Sequence, residues 1–455
     1  MTDSRGPRSA PQDRELRLWK IGRALTVTFA VAVLAAGIVF YSLVALLDIR
    51  EIDSTAKLDA NTLFDLVKLS FGVVAGAGAL VALVVAYRRQ RVDEAGAHRD
   101  ATRLHTERFT TAVSQIGDAS PAVRLGGVHA LAGLADDAPD GSLRQTCIDV
   151  LCAYLQLPFT PDPGADPAHQ EEHHRYLALR KVRHTVLRLI GDHYRRPQET
   201  QRSWQGCDLD LTGVTVDGDL NFNGATLAGG TVSFDGAVFN DGAVSFDGAV
   251  FNGGAVSFDG AVFNGGTVSF DRAAFCGSEV SFNRAEFSAG TVSFRGAKCW
   301  DGEMSFSGAV FSAGTVSFAD AVFSCDKRPF GGIKVSFGGA VFSGGEVSFH
   351  SAAFSHGRES FGGAVFSGGA VSFSHAVFHG GRELFRHAVF SGGEVSFHSA
   401  EFSRGRESFG GAVFSGGTVS FNEARGPAPD GLLVAVGTPV PATVTLPLIW
   451  LSPNP

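Results

Sequence analysis

The sequence predicts a protein of mixed class, in which two transmembrane helices and a small α-helical domain precede a β-solenoid. Three observations lead to this fold class. Two uncharged apolar runs lie near the start of the 455-residue chain, amphipathic segments follow them, and a twelve-residue unit then repeats from Leu211 to Phe421. A repeat this strict indicates that every unit occupies the same place in a stack and buries its face against its neighbours.

The composition excludes several classes of protein. The formal net charge is −8, so the chain has no overall basic surface for nucleic acid or anionic lipid. Six cysteines are scattered without the CxxC spacing of a zinc site, which favours reduced thiols over a disulfide framework. These cysteines are Cys147, Cys152, Cys207, Cys276, Cys299 and Cys325.

The predicted membrane hairpin covers residues 24–87. Residues 1–23 are polar and basic, which predicts a disordered N-terminus, and the apolar runs at 24–47 and 69–87 are each long enough to cross a hydrocarbon core of about 30 Å. The first run is too long for the apolar part of a cleavable signal peptide. Basic residues flank the outer ends of both runs, so the positive-inside rule predicts a multi-pass cell-membrane protein with both termini in the cytoplasm.

Residues 88–200 predict a cytoplasmic α-helical domain that is similar to a small HEAT or armadillo bundle. Its segments place apolar residues at helical spacing, and Ser120 and Pro121 have the residue types that begin a helix. His169 and His173 are spaced i, i+4 beside Glu171 and Glu172, which raises the possibility of a metal site. The Glu of an HExxH motif does not follow the first histidine, so a solvated polar surface is the favoured interpretation and no metal is predicted.

The repeat predicts short extended segments that are separated by turns. In the copy Ala249–Gly260, Ala249 lies two residues before Phe251 and Val256 lies two before Phe258, so each pair points to the same side of an extended segment. Glycines and polar residues after each phenylalanine tolerate the backbone angles of a corner. Of the 38 phenylalanines in the chain, 31 follow this ladder, which predicts that Phe forms the core.

These units resemble the pentapeptide-repeat family, on the small-x-Phe motifs Ala237-Val238-Phe239, Ala261-Val262-Phe263 and Ala364-Val365-Phe366. The segments Glu107-Arg108-Phe109-Thr110 and Ala122–Gly127 are also similar to the region before the repeats in actinobacterial membrane-anchored members. The resemblance covers residues 207–424 and implies a right-handed quadrilateral β-helix. A four-sided coil would hold two of the twelve-residue units, or about 24 residues. Two extra residues on every second side depart from the family's five-residue unit.

The late repeats and one insertion supply the candidate interaction surface. Arg-Glu pairs recur in every second unit, which predicts charged columns on one side of the rod. Seven extra residues after Phe323 predict a loop that leaves a corner. The candidate surface residues are Cys325, Asp326, Lys327, Arg328, Phe330, Arg358, Glu359, Arg382, Glu383, Arg406 and Glu407. The apolar tail at 425–455 is interpreted as a C-terminal cap or, where it stays exposed, as a surface for a homodimer.

The function that these features favour is that of a membrane-anchored, cytoplasmic protein-protein interaction scaffold. No catalytic residues, cofactor or metal ligands are predicted, and no direct contact with nucleic acid. The resemblance implies one alternative, an acidic rod that imitates DNA and binds a topoisomerase such as DNA gyrase. Residues 207–290 carry eleven acidic side chains against Arg272 and Arg284, whereas the later half is nearly neutral. A self-assembling structural rod is the other alternative, because the Val-Ser-Phe segments are apolar and contain no proline.

Overall fold

The computed structural model describes residues 60–160, 162–164, 166–300, 302–323, 334–355, 361–379, 384–403 and 408–451, with scattered positions between 27 and 45. The chain divides into two compact units, Met1–Ala101 and Thr102–Pro455. Four main helices precede the solenoid: α1 (Ala60–Ile116), α2 (Pro121–Asp136), α3 (Gly141–Gln156) and α4 (Gln170–Tyr194). A 3₁₀ turn, Pro167–His169, leads into α4.

The prediction of two transmembrane helices is wrong. Among the described residues, no helix combines the length and the apolar character that a membrane crossing needs. The predicted second span at 69–87 is part of the 57-residue helix α1, whose second half is rich in charged side chains.

Other parts of the predicted hairpin are described incompletely. The predicted first span at 24–47 is described only at scattered positions, and the predicted disordered N-terminus at 1–23 lies outside the described residues. The predicted localisation depended on the two spans and stays a prediction.

The helical bundle that precedes the solenoid is confirmed. Its core side chains are buried, among them Val128 in α2, Leu151 in α3 and Val186 in α4. Pro121 occupies the first turn of α2 as expected, but the Ser120 side chain forms no capping hydrogen bond. Instead, the backbone N–H of Ser120 donates to Asp118 Oδ1 over 2.7 Å. Helix α3 has a side-chain cap, because Asp140 Oδ1 accepts from the backbone N–H of Leu143.

The β-solenoid consists of short parallel strands in three sheets. The first sheet contains Leu209–Asp210, Thr231–Ser233, Ala255–Ser257, Glu279–Ser281, Glu303–Ser305 and Lys334–Ser336. The second covers two adjacent sides and contains Thr215–Val216, Leu220–Asn221, Val238–Phe239, Ala243–Ser245, Val262–Ser269, Glu286–Ser293, Val310–Phe311, Thr315–Ser317, Val341–Ser348, Val365–Ser372, Val389–Ser396, Val413–Ser420 and Val444–Thr445. The third contains Thr226–Ala228, Val250–Asn252, Ala274–Cys276, Lys298–Trp300, Val322–Phe323, Ala353–Ser355, Val377–His379 and Glu401–Phe402.

The strand register confirms that each coil holds two of the twelve-residue units. Val262 pairs with Glu286 and Phe263 with Phe287, a step of 24 in each case. Val310 pairs with Val341, a step of 31, so seven extra residues enter the next coil as the sequence predicts. Ten strands follow one another along the longest sheet path, which corresponds to nine steps between successive coils.

The core of the solenoid is made of stacked phenylalanine rings. In the unit 256–263, Val256, Phe258, Ala261 and Phe263 are all buried. The Phe258 ring stacks on Phe282 of the next coil, with centroids 4.6 Å apart and planes 2° from parallel. Phe258 also meets Phe270 of its own coil edge to face, at 5.7 Å and 86°. Offset stacking and edge contact are the arrangements that aromatic rings prefer, so the ladder stabilises the fold beyond the area that it buries.

One position interrupts the ring ladder. Cys299 takes the place of a phenylalanine between Phe275 and Phe323, and its side chain is fully buried. In the same coil, Met304 is buried at a position where most units carry valine. A longer, flexible methionine can occupy part of the space that the missing ring leaves.

We expect Cys299→Phe to raise the stability of the protein by about 1 to 2 kcal/mol, because the new ring would bury more apolar area and complete the stack. Chemical denaturation followed by far-ultraviolet circular dichroism measures the change. A lower stability would show that Met304 already fills the space. In that case the double variant Cys299→Phe, Met304→Val should recover the loss.

The C-terminal segment covers the last coil. It contains the helices α5 (Leu432–Val436) and α6 (Leu448–Leu451) and the final strand Val444–Thr445. The Trp450 indole N–H donates to the carbonyl oxygen of Gly426 over 2.9 Å, and its ring lies 5.7 Å from Phe421. Two apolar side chains of this segment remain largely in solvent, with Val434 87% and Leu448 83% exposed.

Candidate interaction surface

The solenoid has little space for a ligand inside it. The inward positions of its described coils are filled by Val, Ala and Phe side chains that are almost completely buried. Close packing of this kind leaves only the outer sides and corners for contact with other molecules. Binding by the solenoid therefore depends on its outward side chains and on the helices and the C-terminal segment that pack on its two ends.

The predicted interaction residues lie outside the described part of the chain. This applies to all eleven: Cys325, Asp326, Lys327, Arg328, Phe330, Arg358, Glu359, Arg382, Glu383, Arg406 and Glu407. Their role as a binding surface stays a prediction.

Aspartates at the corners of the early coils connect each coil to the next. The Asp235 carboxylate accepts a hydrogen bond from the Ser257 hydroxyl and another, of 3.1 Å, from the backbone N–H of Asp259. Asp259 repeats both contacts with Ser281 and Asn283. We call Asp235, Ser257, Asp259 and Ser281 the corner ladder. Its carboxylates satisfy polar groups of the neighbouring coil, so they contribute to the fold as well as to the surface charge.

A second ladder runs along another corner and changes character along the rod. It begins with Asp247, which accepts from the Ser269 hydroxyl and the backbone N–H of Asp271. Later coils carry His350 and His398 at the equivalent position. The ring of His375, one residue past the equivalent Ser374, lies 5.3 Å from His350 and 5.9 Å from His398. No group of three or more His, Cys, Asp or Glu side chains in the described residues is arranged to hold a metal ion.

Helices α2 to α4, which we call the helical cap, cover the edge of the first coil. Side chains of this cap hydrogen-bond to backbone groups that would otherwise face an empty strand position. The Gln145 amide donates to the carbonyl oxygen of Asp208 and accepts from its N–H, both over 2.9 Å. Arg183 donates to the carbonyl oxygens of Leu155 and Thr215. The cap therefore replaces strand pairing with side-chain pairing and protects an exposed sheet edge.

Asp217 is the centre of the ionic contacts between α4 and the first coil. Its carboxylate lies 3.3 Å from both Arg180 Nε and His184 Nε2, and the Tyr176 hydroxyl donates to it over 3.4 Å. Burial alone would raise the pKa of Asp217. The hydrogen bond from His184 and the charges of His184, Arg180 and Arg183 outweigh burial, and the pKa lies below its ordinary value.

Asp136 is the centre of a second group of ionic contacts, which lies at the end of the helical cap. It lies 3.1 Å from His193 Nε2 and 3.2 Å from a guanidinium nitrogen of Arg196, and it accepts from the Trp204 indole N–H over 3.2 Å. The His193 and Trp204 rings stack with centroids 4.0 Å apart. These contacts fix the segment that leads from α4 into the solenoid.

The polar cluster at the start of α4 is divided between two surface pairs. His169 Nδ1 lies 3.2 Å from Glu172, whereas His173 Nδ1 lies 2.6 Å from Asp162 in the preceding loop. The loop contact lowers the pKa of Asp162. The contact of His173 with Asp162 therefore fastens the proline-rich loop to the helix.

Acid should weaken the docking of the helical cap on the first coil, because the pKa of Asp217 lies below its ordinary value. A carboxyl group with a lowered pKa in the folded state contributes stability above its unfolded pKa, and this contribution is lost as the pH falls through the folded pKa. We expect Asp217→Asn to cost about 2 kcal/mol at pH 7, measured by urea denaturation. The difference from the wild type should shrink by pH 3, and a difference that stays constant across this range would contradict the ionic role.

Sequence reasoning missed the corner ladder and the Asp217 contacts. Asp235 and Asp259 follow the repeat, but a repeated polar residue gives no sign of whether it faces solvent or binds the next coil. Arg180 and Asp217 are 37 residues apart, and only the docking of α4 on the first coil brings them together.

Comparison with known proteins identifies no relative, since no family model, curated protein or solved structure matches the chain.

Proposed function

We propose that this chain is a non-enzymatic interaction scaffold, whose β-solenoid presents columns of side chains to a protein partner. The observation that carries the proposal is the constant register of the coils. Equivalent outward residues pair from coil to coil, as with Thr267, Thr291 and Thr315, and lie about 4.8 Å apart along the rod. Repeat proteins with filled cores commonly bind through extended surfaces of this kind.

The solenoid also supports the inference that the chain is of the pentapeptide-repeat type. The support consists of parallel coils of two units each and of the buried Ala-x-Phe motifs, such as Ala237-Val238-Phe239. The longer second side of each unit distinguishes this chain from a strict five-residue repeat.

Proximity labelling in cells tests the scaffold proposal. The full chain would carry a labelling enzyme at its C-terminus, with the free labelling enzyme at matched abundance as the control. We expect a small set of proteins to be enriched over the control. Enrichment of the chain itself and nothing else would contradict the scaffold and favour a self-assembling rod.

A second copy of the chain is the alternative partner at the C-terminal end. The exposed Val434 and Leu448 favour this candidate, together with Ile449, which is exposed as well. Sedimentation of the purified chain over a range of concentrations separates a dimer from a monomer.

The acidic early coils support the DNA-mimic alternative. The hydrogen bonds of their carboxylates weaken it, because they occupy oxygens that a mimic of DNA would present to its partner. Asp235, Asp247 and Asp259 each use one carboxylate oxygen to bind the following coil. Inhibition of gyrase supercoiling by the full chain at low micromolar concentration would favour this function over the scaffold.

A further inference from the structure

The loop that joins α3 to α4 packs on α4 through an aromatic side chain. We call residues 158–166 the proline loop. The Phe159 ring stacks on the ring of Tyr176, with centroids 5.2 Å apart and planes 29° from parallel. The guanidinium carbon of Arg183 lies 4.8 Å from the centre of the same Phe159 ring, which is a cation-π contact. The loop therefore places its one aromatic ring between a tyrosine and an arginine of the helix.

Asp162 makes the second contact of the proline loop with α4. Its Oδ1 atom lies 2.6 Å from His173 Nδ1. Thr160, between the two contacting residues, is exposed. Phe159 lies outside the apolar core that α2, α3 and α4 share. Release of the loop would therefore uncover the surface of α4 without opening the core of the helical cap.

The helix side of this contact is held in place by the first coil. The Tyr176 hydroxyl donates to Asp217 over 3.4 Å, and Arg183 donates to the carbonyl oxygen of Thr215 over 3.1 Å. Asp217 and Thr215 belong to the first coil, so these contacts do not depend on the proline loop. A binding surface whose side chains are fixed by a second set of contacts is preorganised for a ligand.

Arg183 has one donor that the proline loop leaves unused. The side chain is buried, with only 4% of the residue exposed, and Nε has no hydrogen-bond partner among the described residues. The other two guanidinium nitrogens donate to the carbonyl oxygens of Leu155 and Thr215. A buried donor without a partner is unfavourable. A segment that brought a carbonyl or carboxylate oxygen to Nε would therefore fit this site better than the loop does.

We propose that His173, Tyr176 and Arg183, the α4 site, bind a segment of a partner protein, and that the proline loop covers this site until the partner displaces it. The loop shows the chemistry of the occupant, which is an aromatic residue followed three positions later by a carboxylate, as in Phe159 and Asp162. The inference rests on the proposed scaffold function and assigns one partner contact to the helical cap. The loop and the partner cannot occupy the site together, so the contact is autoinhibitory.

Binding of the loop sequence as a separate peptide tests the α4 site. The peptide has the sequence of residues 156–167, with 4-fluorophenylalanine in place of Phe159, and the width of its fluorine NMR signal reports binding to the purified full chain. The double variant Phe159→Ala, Asp162→Asn, the open variant, removes the two contacts of the tethered loop. Thr160→Ala is the matched control in the same loop, and circular dichroism verifies that each variant is folded.

We expect the open variant to bind the peptide with a Kd at least about tenfold lower than the wild type or Thr160→Ala does, because a tethered loop competes at an effective concentration of about millimolar. The unlabelled peptide should displace the fluorinated one, and the same peptide with alanine in place of Phe159 should not. Equal binding to the open variant and the wild type, or no binding to the open variant, would refute the site and leave the scaffold function in place.

Proximity labelling with the open variant beside the wild type identifies the partner segment. We expect the open variant to enrich at least one further protein, with an aromatic residue three positions before Asp or Glu. A synthetic peptide of that segment should displace the fluorinated peptide. No further protein, or further proteins whose segments do not compete, would show that no partner uses the site. Added enrichment of the chain alone would show instead that the loop exchanges between copies. The wild-type result tests the scaffold by itself, so failure of one proposal can be told from failure of the other.

Discussion

Replacing Phe270 with alanine should destabilise the solenoid by about 3 to 5 kcal/mol, which is the usual cost of removing a buried aromatic ring. Phe270 stacks on Phe246 at 4.8 Å and on Phe294 at 4.7 Å. It also meets Phe258 and Phe282 edge to face at 5.7 and 5.8 Å. A single substitution therefore removes contacts with three coils, and a coil bound only to its neighbours has no other core on which to rely.

Chemical denaturation followed by circular dichroism measures this loss, and Thr267→Ala is the matched control. Thr267 belongs to the strand that immediately precedes Phe270, but its side chain is exposed. The control should change stability by less than about 0.5 kcal/mol. A similar effect of both substitutions would contradict the view that the ring columns hold the coils together.

A methyl group added at Gly368 should be nearly as harmful, with an expected loss of about 3 kcal/mol. A Cβ atom there would overlap the carbonyl oxygen of Ser343 and lie 3.0 Å from its carbonyl carbon. Both atoms belong to the backbone of the preceding coil, so no side chain can rotate away. Relief would require the two coils to separate at that corner.

Gly363→Ala provides the contrast within the same coil. Gly363 has a φ of 65°, and apart from its two chain neighbours no atom of the described residues lies within 4 Å of the point that a methyl group would occupy. The cost therefore comes from the left-handed backbone alone. That cost is about 1 kcal/mol. Equal losses for the two variants, measured by thermal unfolding, would show that backbone conformation and not the approach of the coils explains these glycines.

The solenoid could be predicted in detail because its contacts follow from the spacing of residues along the repeat. The spacing of Phe258, Phe263 and Phe270 determines which residues face inward, and the same spacing places each ring above its equivalent in the preceding coil. The prediction needed no knowledge of distant contacts. Even the seven-residue insertion could be located, because it shifts the register by a fixed amount.

The membrane prediction is wrong because an apolar stretch of one membrane thickness is only part of the longer helix α1. Residues 69–87 are apolar, but they belong to a helix that continues through charged residues to Ile116. A sequence window of one membrane thickness does not include the charged residues that follow in the same helix.

The candidate surfaces were the least predictable part. The exposed Trp300 could have been found from the sequence, since it stands where the two preceding coils carry the smaller Cys276 and Asn252. The helical cap could not, because Gln145 and Asp208 are 63 residues apart and their pairing depends on how a helix docks on a strand edge. No periodic pattern records a contact that occurs only once.

The helical cap also has a consequence for the order in which the chain is built. Ribosomes produce the N-terminal part of a chain first, and domains fold as they emerge. Gln145 and Arg183 would then offer a preformed template to the first strands, and each finished coil would offer its own open edge to the two units that follow. The solenoid would grow from the cap at the pace of translation, with no more than one unpaired edge in front of the ribosome at any time.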